Sequence, residues 1–124
     1  MFLLVCRTFL SLFSLELSLL TRDFAAIYRR VRKSSVSTMR LRRYSEQQIL
    51  RAIDLACAFY FKEVLCLQRS VVTTRLLRRY GVDAVMVIGV RQTPFQAHAW
   101  VEVAGRCVSD RPYIPQTYLE LDRC

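Results

Sequence analysis

The chain has 124 residues, the size of one ordinary domain; 53% of them are hydrophobic, and only three are Gly and three Pro, which excludes wholesale disorder and a loop-dominated chain. The net charge of +9 is uneven: residues 1–43 hold 9 basic and 2 acidic side chains, whereas residues 44–124 hold 10 and 8. The positive charge therefore belongs to an N-terminal arm.

Residues 1–20, MFLLVCRTFLSLFSLELSLL, resemble a signal peptide or a membrane span only at first sight. No basic region precedes the apolar run, and Arg7 and Glu16 interrupt it. Arg7, Ser11, Ser14, Ser18 and Arg22 recur at helical spacing as a narrow polar stripe, which predicts a helix packed on its own domain or a partner, without stable membrane insertion. Residues 24–33 read as the continuation of that helix. Arg29, Arg30, Arg32 and Lys33 form its solvated end, and the scarcity of aromatics among them argues against nucleic acid as a partner. Residues 34–44 read as a linker opening on Ser34-Ser35-Val36-Ser37-Thr38.

Ser45 with Gln48 is a capping box, and Ile49, Ala52, Ile53 and Ala56 share one face of the helix it starts. Lys62 and Glu63 fall in the turn to a further helix over residues 66–80, stopped by Gly81. Arg75, Arg78 and Arg79 crowd its last turn, where cations suit the helix dipole. Residues 82–90, VDAVMVIGV, are a strand. After a turn at Thr93-Pro94-Phe95-Gln96, residues 97–103, AHAWVEV, alternate as a second strand. Ala104-Gly105-Arg106 closes a hairpin, Cys107 to Asp110 return, and Arg111-Pro112 leads into a coil tail with Tyr113 and Pro115. Helices followed by an antiparallel sheet make an α+β domain.

The five cysteines at 6, 57, 66, 107 and 124 form no CxxC pair, and the single His98 cannot complete a zinc set, so no metal and no cofactor is implied. An odd count of thiols suits a reducing cytoplasm better than a disulfide scaffold. Cys124 reads as incidental. A thiol acts as nucleophile when a helix N-terminus and a histidine favour its thiolate. Cys66 opens a predicted helix, His98 lies in a strand, and Asp110 ends the next strand, where the hairpin can bring it to His98. Singly, each has a plainer reading: a core thiol, a structural histidine, a turn-capping carboxylate. Jointly they follow the logic of nucleophile, base and orienting acid. Trp100 reads as core, with lining of the cleft as the alternative, and Glu102 as a solvated strand charge or a partner of Arg69 or Arg106.

Cys66-Leu67-Gln68-Arg69-Ser70, Leu76-Leu77-Arg78-Arg79-Tyr80-Gly81-Val82, His98-Ala99-Trp100-Val101-Glu102-Val103 and Asp110 resemble the transglutaminase-like leader peptidases of lasso-peptide biosynthesis. The likeness runs over residues 45–118 and is nearest to the stand-alone peptidase half of a split B protein. It implies a papain/transglutaminase-like cysteine peptidase core with Cys66 as nucleophile, His98 as base and acid, and Asp110 as orienter. It implies removal of the leader from a ribosomally made precursor, with a separate leader-recognition protein and a lasso cyclase as partners. The division expected is an N-terminal helix over 1–33, a linker over 34–44 and the peptidase domain over 45–124. Transamidation on the same fold, or a non-enzymatic peptide-binding scaffold, are the alternatives.

Overall fold

The computed structural model describes residues 2–20, 24–34, 44–60, 64–92, 95–110 and 114–124. Most of the expected linker, Lys62 and Glu63, the Thr93-Pro94 turn and Arg111-Pro112 lie outside the described residues. In chain order the elements are α1 (Phe2–Leu20), α2 (Phe24–Lys33), α3 (Glu46–Ala58), α4 (Cys66–Arg79), β1 (Ala84–Gln92), β2 (Phe95–Val103), β3 (Arg106–Cys107), a short helical turn α5 (Ile114–Thr117) and β4 (Leu119–Arg123). The fold is α+β.

The capping box at the start of α3 is complete: Gln48 N–H donates to Ser45 Oγ at 3.2 Å, and Ser45 N–H donates to Gln48 Oε1 at 2.9 Å. Ile49, Ala52, Ile53 and Ala56 are buried. Helix α4 ends at a glycine with φ +87°, which a side chain would resist. The chain then reverses, because Val82 N–H reaches back to Leu77 O at 2.9 Å. β1 therefore runs antiparallel to α4.

The sheet is antiparallel, in the order β3-β2-β1-β4. Ala84 pairs with Val103, Val87 with Trp100 and Gly89 with His98. The pleat puts Ala84, Met86, Val101 and Val103 on one face, where Ala84, Val101 and Val103 join Ile49, Ile53, Leu76 and Leu77 in a core. His98, Trp100 and Glu102 stand on the other face. The β2–β3 turn has φ +52° at Ala104 and +77° at Gly105, the primed geometry that tight hairpins use.

The N-terminal region divides into two helices where the sequence reads as one. Leu4, Thr8, Leu12 and Leu15 form the buried stripe of α1, and Ile27 and Val31 that of α2. Each fully buried leucine contributes about 1.5–3 kcal/mol. Leu4 packs in the core with α3, while Leu12, Leu15, Ile27 and Val31 share a second core with Val71, Val72 and Met86. No helix among the described residues is long and apolar enough to cross a membrane.

Arg78 lies in the last turn of α4 as the sequence predicts, but its surroundings are not those of a surface cation. It is buried, and its guanidinium donates to Ala84 O (2.9 Å), Val31 O (2.7 Å), Ser34 O and Oγ (3.1 and 2.9 Å) and Cys124 O (2.7 Å). The tail is not coil: after α5 it adds β4 to the free edge of β1. Cys124 is not incidental, because it exchanges both backbone hydrogen bonds with Met86. A sheet edge offers unpaired N–H and C=O groups, and β4 satisfies them although its side chains are all exposed.

Candidate active site

Leu65 is extended (φ −71°, ψ 155°), and α4 starts immediately after it at Cys66. The buried Gln68 fastens this end. Its Oε1 accepts from Leu65 N–H at 2.9 Å, and its Nε2 donates to Glu16 Oε2 of α1 at 2.6 Å. Cys66 lies in the first turn, where helical N–H groups have no intrahelical acceptor. It is the exposed member of the five free cysteines. Burial pushes the thiols of Cys57, Cys107 and Cys124 up, so these hold their protons more tightly.

On the sheet, His98 Nε2 lies 2.6 Å from Asp110 Oδ2. The hairpin makes this contact. Past the short β3, Val108 N–H donates to Val101 O at 2.9 Å, and Ser109 Oγ accepts from Val101 N–H at 2.8 Å. The chain is thereby held along the edge of β2 until Asp110 comes level with His98. The imidazole is flanked by two rings: Trp100 at 6.2 Å between centroids and 27° between planes, and Tyr118 at 5.4 Å and 30°.

Trp100 is 1% exposed. Its indole lies over Gly89, where a Cβ would come within 2.7 Å of Cη2 and 2.9 Å of Cζ3. Its Nε1–H donates to Glu102 Oε2 at 2.9 Å. Glu102 is therefore a buried acceptor, near Arg123 at 3.5 Å. The partners expected of it bind elsewhere: Arg69 pairs with Asp54, and Arg106 with Glu46. Among the described residues no three His, Cys, Asp or Glu side chains are arranged to hold a metal ion.

The structure thus brings His98 and Asp110 together. It sets Cys66 on the helix layer, and the thiol makes no hydrogen bond to His98. Leu76 and Leu77 of α4 share a core with Ala84, Val101 and Val103, whereas the pleat sets His98 on the other face of the sheet. The roles of Gln68, Glu16, Tyr118 and Gly89 around the site escaped the sequence reading. Gln68 sits inside a noticed motif, but its reach to Glu16 is long-range. Tyr118 and Gly89 are set by β4 and by the β1–β2 register.

Residues 9–122 match the family model described as the transglutaminase-like superfamily. The chain belongs to the transglutaminase-like superfamily. Over 47 residues it is 47% identical to an Escherichia coli protein named microcin J25-processing protein McjB, a stretch covering 38% of this chain and 23% of McjB. The chain thus matches less than a quarter of the length of that curated relative. No solved structure matches. The transglutaminase-like match runs from within α1 to within β4, taking in Cys66, His98 and Asp110.

Proposed function

We propose that the chain is a cysteine peptidase that removes the leader from a ribosomally synthesised lasso-peptide precursor. The observation that carries this reading is the His98–Asp110 contact of 2.6 Å, on a transglutaminase-like fold whose α4 presents an exposed cysteine at its first residue. With the Nε2 proton directed at Asp110, Nδ1 of His98 is the ring nitrogen left to take the Cys66 proton. The thiolate attacks the carbonyl of the last leader residue, and the backbone N–H of Cys66 receives the developing oxyanion. His98 then protonates the departing amine, which becomes the N-terminus of the core peptide, and water hydrolyses the thioester. Asp110 holds the imidazole in the required tautomer and orientation. A separate cyclase then closes the freed amine onto a side-chain carboxylate, and a separate recognition protein presents the leader, in the cytoplasm.

The likeness to a protein named for microcin processing supports the substrate class. Incubation of the chain with a precursor peptide and a recognition protein, followed by mass spectrometry, tests it. Leader and core peptide should appear as two masses adding to the precursor plus water. Transfer of the leader acyl group to an added amine in place of water would instead establish transamidation. Leader removal that persists after iodoacetamide has alkylated Cys66 would sink the peptidase reading.

A further inference from the structure

Away from His98, a groove of about 780 Å³ opens between α1, α2 and α4. Its walls carry Arg7, Arg30, Arg75 and Arg79, its floor Val72 and Leu76, and among the described residues no acidic side chain lines it. Among the described residues none of these four guanidinium groups makes an ion pair or a side-chain hydrogen bond. Nη1 of Arg7 is buried without an acceptor, while its guanidinium lies 6.0 Å from the Tyr80 ring. Four like charges around one cavity repel each other, so the groove is electrostatically incomplete until an anion enters. Leu10, 70% exposed, stands at its rim and continues outward into Leu3 and Leu17 on the same face of α1. The site therefore offers charge and apolar surface side by side. A small inorganic anion would use only the first, whereas a peptide with carboxylates spaced by apolar side chains uses both.

We propose that this groove docks an acidic, apolar-interspersed peptide segment of the substrate. The binding claim stands on the groove itself; calling the ligand a substrate rests on the peptidase reading above. The groove follows α4 from Val71 to Arg79, and Cys66 heads the same helix. About 20 Å of helix separates Arg79 from Cys66, which an extended peptide of about six residues spans. A segment held by the arginines can thus deliver a bond farther along its chain to the thiol.

The test uses the full chain and a fluorescein-labelled peptide of mixed Glu and Leu, with fluorescence anisotropy as the readout. Binding should weaken as salt is raised. The same peptide with Gln for every Glu should bind at least about tenfold more weakly, and Arg75→Glu with Arg79→Glu should cost as much. Both arginines are exposed, so folding should be retained; Arg75→Gln with Arg79→Gln gives a milder check, and unchanged iodoacetamide alkylation of Cys66 confirms an intact α4. Equal binding of the Gln peptide, equal binding by the charge-reversed variant, or tripolyphosphate binding as tightly as the Glu/Leu peptide would each overturn the proposal. Binding through these arginines by a chain that cleaves no precursor would leave the groove standing and remove the peptidase reading. Cleavage without such binding would do the reverse.

Discussion

At its C-terminal end α4 is locked, for Arg78 is buried and its guanidinium joins carbonyl oxygens of α2, β1 and Cys124 into one knot. At its N-terminal end the same helix is open: Cys66 is exposed, and one buried side chain, Gln68, fastens the first turn to α1. A helix held rigidly at one end can present a reactive group at the other without that group being packed. On the peptidase proposal stability belongs to the Arg78 end and chemistry to the Cys66 end, so the contrast can be broken by a residue whose loss acts on the wrong quantity.

The largest effect is expected at the open end. Cys66→Ala should lower leader removal at least roughly a thousandfold, with the unfolding midpoint in urea unchanged. His98→Ala should approach that loss, and Asp110→Ala should lose less, because an orienting group is worth less than the nucleophile. Cleavage by Cys66→Ala at the wild-type rate would abolish the contrast at once.

At the locked end, Arg78→Met should cost about 3 kcal/mol in urea unfolding, since several buried carbonyl oxygens lose their donor together. Cleavage by the fraction still folded should stay near wild type; full stability in the Arg78→Met variant would show that the knot holds nothing.

Between these extremes lies Gly89→Ala. The added methyl must displace the Trp100 indole, which overpacking data put at about 1–3 kcal/mol. Because that indole flanks His98, cleavage should fall by more than the stability loss explains. A loss of stability alone would detach Trp100 from the site.

The smallest effect concerns pH. Burial and the hydrogen bond it donates to Asp122 at 2.6 Å push the Tyr28 phenol from 10.0 to about 12. A folded-state value raised in this way stabilises the fold fully below pH 10.0, and the contribution is lost as pH climbs to about 12. Tyr28→Phe should flatten the alkaline fall in stability measured by urea midpoints. The Tyr28 hydrogen bond holds the Asp122 carboxyl below its usual range, so the acid limb carries the opposite sign: stability present at neutral pH is lost as Asp122 protonates. An alkaline limb identical in Tyr28→Phe would disprove this tie between α2 and β4.

The contrast also explains what the sequence made legible. Local signals sufficed for α3, α4, β1 and β2: a capping box, a stop glycine, runs of β-branched residues. A tight hairpin accounts for the meeting of His98 and Asp110. The burial of Arg78 was hidden, because a cation in the last turn of a helix also has a purely local rationale. The pairing of β4 was hidden because LELDR shows no one-sided burial, its place being set by the free edge of β1. With β4 unseen, Tyr118 could not be placed beside His98. The break between α1 and α2 was hidden because both helices carry apolar faces that read on as one. Where the Cys66 thiol lies relative to the imidazole is likewise not a local property, since it depends on how α4 crosses the sheet.

The chain contains a single tryptophan, and it is Trp100, whose indole centroid lies 6.2 Å from the His98 ring and 6.1 Å from that of Tyr118. All indole emission therefore originates beside the imidazole. A charge appearing on His98, or a peptide arriving over it, alters the surroundings of that one fluorophore. The unlabelled protein thus carries its own optical probe of the histidine, readable in every variant that keeps Trp100.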